Sequence, residues 1–521
     1  MRRLLAFLIL IAIAITPLFA SGQQQSEPAA TDSDHPFGPE MTITFTGIYD
    51  VPPDPDGAIM QIFEERYNTF LEYINVERSN YNEMLALKIS TGEVPDRFTL
   101  DGNMLQYSKF VNQGALREID MELVRDIAPS VYENQEPYID LLTINDGVYA
   151  FTGEKGSLKW PLAVVWRKDW LKAVGIDKVP ETLEEAEEAF YAFTNEDPDG
   201  NGEDDTYGFG YNGLDMVFGA FGGIPWGPWP QYWLWLEDGQ GGLQNAAVMP
   251  GMKDALALLQ KWYADGVIDP EYVIGENKGG YWAISSDFFN NKIGFTGLGH
   301  DYHWHPPLYE GDPGGRVYNE FMNVNPDAEI AHGKAVVGPN GDSGTWLYPL
   351  AVGAAGMTVF GATADDAKIE RSLAIMEDQA DFDLYLQFNM GNEGEHWQQD
   401  PASGAISATE EYSSRESRLR EGIQVTSWFQ PMEFQNRVNP LHQEWADENY
   451  DFPGYRNKLV VALPSEAQVR PELERLRDQY YHEIIMGNRP VDDFDEFVEA
   501  WNRAGGETLK AEADAWWQTV Q

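Results

Sequence analysis

The most specific chemistry in the chain lies in nine residues, Asp197-Pro198-Asp199-Gly200-Asn201-Gly202-Glu203-Asp204-Asp205, which set oxygen-bearing side chains at alternate positions with glycine at the sixth. This is the front of a calcium loop: positions one, three and five supply side-chain oxygens, seven a backbone carbonyl, and nine a side chain or bridging water. Asp197, Asp199, Asn201, Glu203 and Asp205 are the expected ligands of a structural Ca2+. The twelfth position, where a full loop places a bidentate Glu, is Gly208, so a further ligand must come from Thr206 or elsewhere. The same residue types also favour a metal-free turn.

Aromatic residues form the second candidate surface. Trp226, Trp229, Trp233 and Trp235 crowd one stretch interrupted by Gly227, Pro228 and Pro230, while Trp282, Tyr302, Trp304, Trp346, Trp397 and Trp428 fall in loop-like contexts. Flat rings beside carboxylates and amides suit sugars, whose C–H faces stack while their hydroxyls take hydrogen bonds. Each single Trp is more often a core residue than a platform, and it is the Gly/Pro-interrupted cluster that points to a cleft.

Two segments admit catalysis. His300, Asp301, His303 and His305 in GHDYHWH offer nitrogen and oxygen ligands for a metal-dependent hydrolase, but their spacing matches no zinc pattern and polar lining of a loop explains them as well. Glu393 and Glu395 in GNEGEHW would serve a glycoside hydrolase or lyase as paired acids. Among 85 acidic residues a nearby pair carries little information. No G-x-S-x-G, H-E-x-x-H or Walker pattern favours another reaction.

The elements that must position these residues alternate between strand and helix. Met41-Thr42-Ile43-Thr44-Phe45-Thr46 has the period of a half-buried strand, and Ile59, Met60, Phe63, Tyr67, Phe70 and Leu71 then recur at helical spacing, with Asp56 as cap. Helices are expected over 82–90, 103–113, 168–173, 182–193, 252–265, 364–378, 466–486 and 491–501, and strands over 98–100 and 293–295. At 182–193 Thr182 and Glu185 have capping-box spacing. No fixed-period repeat is visible, so solenoids and propellers are excluded, and the class is α/β with extra helices.

The 521 residues include 17 Trp, 25 Tyr and 26 Phe, enough apolar surface to offset chain entropy and form two or three domains. With 35 basic and 85 acidic residues the net charge is −50, which excludes nucleic acid as a partner, because neutralising phosphates takes clustered Lys and Arg. Such acidity reads as a solvated carboxylate surface suited to salt, where self-repulsion is screened. The absence of cysteine excludes disulfides, thiolate catalysis, Cys-ligated zinc and iron–sulfur clusters.

At the N-terminus, Arg2 and Arg3 precede an apolar run from Leu4 to Ile15, then Pro17-Leu18-Phe19-Ala20 and polar residues, the order of a secretory signal over 1–20. The run is too short for a membrane span. Leu18-Phe19-Ala20-Ser21 resembles a lipoprotein cleavage box with serine in place of the lipid-bearing cysteine; serine cannot form the thioether, so an exported, unanchored protein is expected. Residues 21–40 read as a flexible leader.

Several blocks together resemble the extracellular solute-binding proteins of bacterial carbohydrate ABC importers, the family with lipoprotein-type and alginate-oligosaccharide-binding members. They are Ser90-Thr91-Gly92-Glu93-Val94-Pro95-Asp96, Val165 to Leu171 (VWRKDWL), Val179 to Gly208 with the DPDGNG loop, Leu259 to Pro270 (LQKWYADGVIDP) and Gly391 to Trp397 (GNEGEHW). The resemblance implies a two-lobed α/β fold with a hinge and a central cleft, lobe I formed by 41–155 and 335–390 and lobe II by 156–334 and 391–521. It implies a monomer without catalysis that binds an oligosaccharide and delivers it to membrane permease subunits. It places calcium on the 197–205 loop, although relatives carry an acid where this chain has Thr206. Stacking platforms are expected at Trp282 and Trp428, with Tyr149, Trp160, Trp304 and Trp397 behind them and Glu393 and His396 as polar contacts. A secreted carbohydrate-active enzyme is the competing class, and a peptide or other small solute the competing ligand.

Overall fold

The structure is a computed structural model that describes residues 35–519 apart from 50, 77–80, 101–103, 153–160, 227–232, 276–284, 348–355, 432–433 and 460. The expected signal and most of the leader (1–34), together with Trp160, Trp229 and Trp282, lie outside the described residues. Among the described residues no helix is long and apolar enough to cross a membrane.

Two separate sheets organise two lobes. In the first, β1 (Met41–Thr46) pairs in parallel with β2 (Thr69–Tyr73) on one edge and with β3 (Arg97–Leu100) on the other. Strand Met357–Phe360 then runs antiparallel between β3 and Ala150–Thr152. The helix after β1, α1 (Ala58–Tyr67), is shorter than its apolar period suggests. Asn68 adopts a left-handed conformation (φ 48°) and stops the helix, and Phe70 and Leu71 belong to β2 instead. The residue before α1 is Gly57, with no side-chain cap, so Asp56 does not serve as one.

The second sheet orders Ile330–His332, Val165–Arg167, Ile293–Thr296 and Tyr207–Phe209. Its aromatic centre is Phe190 from the helix Leu183–Asn195, whose ring stacks on Trp166 at 5.2 Å and meets Phe209 at 4.7 Å, Trp262 at 5.7 Å and Phe295 at 5.8 Å. That helix begins where the spacing predicts: Glu185 N–H donates to Thr182 Oγ1, and the Glu185 carboxylate accepts from Thr182 N–H. The long helices Gly251–Ala264, Glu466–Ile485 and Asp493–Trp501 cover the same core.

Burial shows which core several segments near the expected exchange points join. Ala335 and Val336 are buried in the second sheet's core and Trp346 beside Leu162 and Ile224, while Met357 begins the strand that pairs with β3. Leu419, Ile423, Val425 and Trp428 are buried with Phe45 and Phe63 in the first lobe. Further along, the helix Pro440–Tyr450 brings Tyr450 into the second core. Apolar side chains follow whichever sheet face they complete, and that is not encoded in local pattern.

Because Phe190 touches four other rings, Phe190→Ala leaves a cavity and is expected to destabilise the chain by about 3–5 kcal/mol. Urea unfolding followed by tryptophan fluorescence measures it, and a loss under about 1 kcal/mol would show that the site collapses around the smaller residue.

Candidate functional site

In open α/β sheets, ligands sit beyond the carboxyl ends of the strands where consecutive connections leave in opposite directions. β1 is such a point, since the chain passes from β1 to β2 on one side and then to β3 on the other. Thr46 closes β1, Tyr73 closes β2, and Arg97 pairs with Phe45 at the start of β3. The Tyr49 ring lies 6.1 Å from that of Tyr73, and the Arg97 guanidinium sits 4.5 Å over the ring of Trp428. Burial pushes the Tyr49 phenol up, against the opposing pull of Arg97 and Arg415. Sequence patterns flagged only Trp428 here; the other side chains come together because three strand ends do.

Trp428 is 5% exposed and its ring is also 5.1 Å from Phe63, so one side of the indole belongs to the core. Tyr149, between two short strands, packs beside the core around Tyr107, whose hydroxyl accepts from Tyr149 N–H at 3.1 Å. The other expected platforms among the described residues, Trp304 and Trp397, are buried and bond to backbone carbonyls. Trp304 is 1% exposed and donates its Nε1–H to the Leu298 carbonyl at 2.7 Å. Trp397 donates to the Gly391 carbonyl at 2.8 Å, and His396, fully buried, accepts through Nδ1 from Asn392 N–H. Glu393 and Glu395 are exposed on the same turn. Glu393 and Trp397 border a surface cavity of about 660 Å3 together with Gln387, Asn392 and Gln399.

Three of the Gly/Pro-interrupted tryptophans, Trp226, Trp233 and Trp235, are buried as well. Trp226 donates Nε1–H to Asp478 and Trp233 to Glu474, both carboxylates on the helix Glu466–Ile485, and Trp235 is 3% exposed. A distant carboxylate satisfies each of those two indoles, which is why they bury rather than face a ligand.

The acidic loop is held in a tight turn by its own side chains. Asp197 has φ 46°, Gly200 φ 69° and Gly202 φ 84°, and the Asp197 carboxylate accepts from Asn201 N–H at 3.1 Å and Gly202 N–H at 3.0 Å. The Asn201 amide donates to Asp199 at 3.0 Å and to Asp205 at 3.2 Å, and its Oδ1 accepts from Glu203 N–H. Burial, and then the neighbouring Asp197 and Asp205, push the Asp199 carboxyl up. Thr206 is not a ligand, since it is buried and donates to the Phe193 carbonyl at 2.7 Å. Gly208 lies in a strand where a Cβ would come 2.7 Å from that of Phe190, so the twelfth position cannot carry a glutamate. Among the described residues no group of three or more histidines and acids is gathered tightly enough to hold a metal ion.

The GHDYHWH histidines brace the second lobe. His300 Nδ1 pairs with the Pro161 carbonyl at 2.9 Å, and His303 Nδ1 accepts from His300 N–H at 3.1 Å. His305 packs 4.8 Å from His442, whose Nε2 is 3.4 Å from Asp301, while His332 Nδ1 lies 3.2 Å from the Tyr450 hydroxyl. Sequence spacing shows neither His332 nor His442 as part of this group, because they arrive from a different strand and helix.

No family model matches the chain. Over 98% of its length and 98% of the relative it is 22% identical to lipoprotein LipO of Bacillus subtilis (strain 168), and over 96% of each it is 23% identical to the polygalacturonan/rhamnogalacturonan-binding protein YtcQ of the same organism. The fold superposes on the S. pneumoniae ABC-transporter substrate-binding protein FusA in complex with kestose (TM-score 0.63, 18% identity, 92% of this chain and 99% of that one). The fold is that of the two-lobed solute-binding proteins. The alginate-binding protein AlgQ2 without calcium ion is similar to the same degree (TM-score 0.64, 15% identity, 94% and 100% covered). The resemblance drawn from the five sequence blocks is thus upheld by full-length relatives and by the architecture.

Burial holds His300, His332 and His442 down to about 4 and His303 to about 3. These imidazoles take up protons only on unfolding, so their contribution is complete above about 6.5 and is lost as pH falls toward 4. Asp215 and Asp301, pushed up to about 7 and about 6 by burial, act in the opposite sense over the same window. Four imidazoles against two carboxyls predict lower stability at pH 5 than at pH 7.5 in urea titrations, with a smaller loss in His332→Gln/His442→Gln. Equal or higher stability at pH 5 would contradict this balance.

Proposed function

We propose that this chain is the exported solute-binding component of an ABC importer, holding an oligosaccharide between its two lobes and presenting it to membrane permease subunits. The observation that carries this reading is the pair of sheets, with aromatic and polar side chains gathered at the carboxyl end of β1. Full-length similarity to a polygalacturonan/rhamnogalacturonan-binding protein and fold similarity to a protein solved with kestose support it. Closure over the ligand is a population shift stabilised by contacts to both lobes, so affinity and closure are linked.

Trp428, Tyr149, Trp160 and Trp282 are the proposed sugar contacts. Catalysis is not part of the reading: the acid pair Glu393 and Glu395 stands exposed on a turn, and the relatives are binding proteins. The loop at 197–205 is proposed to hold Ca2+ through Asp197, Asp199, Asn201 and Asp205 and the Glu203 carbonyl. Its fit rests on the Asn201 amide, which occupies the space between two carboxylates where a cation's charge would relieve their crowding.

A saccharide panel in a thermal-shift assay tests the function, because a ligand that binds only the folded state raises Tm. Saturable stabilisation without cleavage products is expected; product formation abolished by Glu393→Gln would replace the binding protein with an enzyme. For calcium, titration of the chelated chain should release heat and raise Tm, and Asp199→Asn should weaken both. No response to calcium would leave the loop as a metal-free turn.

A further inference from the structure

Four arginines are buried among the described residues, Arg97, Arg167, Arg371 and Arg477. Three are fully accommodated. Arg167 forks onto Asp169 at 2.6 and 2.9 Å and reaches Asn291. Arg371 donates to the carbonyls of Pro39, Tyr67 and Asn68 and to Thr69 Oγ1. Arg477 meets Asp478 and the Pro225 carbonyl.

Arg97 differs. It is 6% exposed, its Nε has no acceptor, and its one hydrogen bond is a long 3.4 Å contact to Thr358 Oγ1. Among the described residues no carboxylate pairs with it, in a chain carrying 85 acids. A buried unpaired ion costs several kcal/mol even after relaxation, and here burial holds the guanidinium down to about 10. Nearby, Trp428 Nε1 lacks a partner, and the Thr46 and Tyr73 hydroxyls have none but each other. All four groups lie where β1, β2 and β3 meet at the switch point, the position at which this architecture receives ligands.

We infer that the missing acid arrives with the ligand: the bound saccharide carries a carboxylate that pairs with Arg97, making it a uronic-acid oligomer rather than a neutral sugar. A planar guanidinium matches a carboxylate bidentately, and the sugar hydroxyls meet Trp428 Nε1 and the Thr46 and Tyr73 hydroxyls. The repulsion between an anionic ligand and a chain of net charge −50 is confined at physiological salt to a Debye length of about 8 Å. The inference rests on the carbohydrate-binding reading above and narrows its substrate class.

The test compares each uronate oligomer with its own methyl ester, which keeps the sugar and removes the charge. Galacturonate and mannuronate oligomers, their esters and neutral fructo-oligosaccharides are titrated calorimetrically into the full chain at pH 7 in 0.15 M salt. The expected result is binding of at least one free acid at least tenfold tighter than its ester, a preference abolished in Arg97→Gln and partly kept in Arg97→Lys. Equal affinity for acid and ester, or binding of neutral oligosaccharides alone, overturns the inference and leaves the carbohydrate reading standing. Failure of every saccharide overturns the carbohydrate reading and the inference with it. If Arg97→Gln does not fold, the acid-to-ester ratio of the unaltered chain decides.

Discussion

β1 hydrogen-bonds in parallel to β2 on one edge and to β3 on the other, and the candidate site depends on that crossover. Had β3 added beyond β2, Thr46 and Arg97 would lie two strands apart and Trp428 would have no guanidinium to cover. The half-buried period of Met41–Thr46 supplies the strand, and the left-handed Asn68 stops α1 early enough for Thr69–Tyr73 to pair back. A short helix, a tight stop and a second parallel strand are thus what bring the ends of β1 and β2 beside the start of β3.

Charge is used differently at the surface and inside. Most acids are solvated, and many exposed ion pairs, such as Arg66 with Asp378 or Lys172 with Glu329, are of the kind worth about 0–1 kcal/mol each. Inside, three of the four buried arginines are surrounded by carboxylates or carbonyls, so the economy of pairing is general and its failure at Arg97 is local. The second lobe manages buried polarity another way, keeping its histidines neutral around Trp445, which places three of them within ring contact of one indole.

Much of the local structure is legible in the residues. The helix at 168–173 falls where its pattern places it, the capping box at Thr182 closes with both of its hydrogen bonds, and Met252 to Asp265 is offset from the observed helix by one residue. The candidate site was far less legible. Of the tryptophans singled out for stacking, Trp304 and Trp397 spend their indole N–H groups on backbone carbonyls six residues away, and among the described residues only Trp428 stands at the switch point. Gly208 shows a different limit: it breaks the calcium pattern at the twelfth position because the strand it sits in lies against Phe190, a constraint invisible in the loop itself.

The sequence by itself determined the helices and strands, the caps, the crowding of five acids into 197–205, and the absence of any thiol chemistry. These depend on residues within about four positions of one another, the range over which helical and strand periodicity and capping operate. Only the tertiary structure decided which tryptophans are core, where the chain changes lobes and which buried cation lacks an acid. Trp226 finds Asp478 across 252 positions and Trp233 finds Glu474 across 241. Whether a polar group is satisfied depends on partners brought from anywhere in the chain, and to Arg97 the fold brings no carboxylate among the described residues.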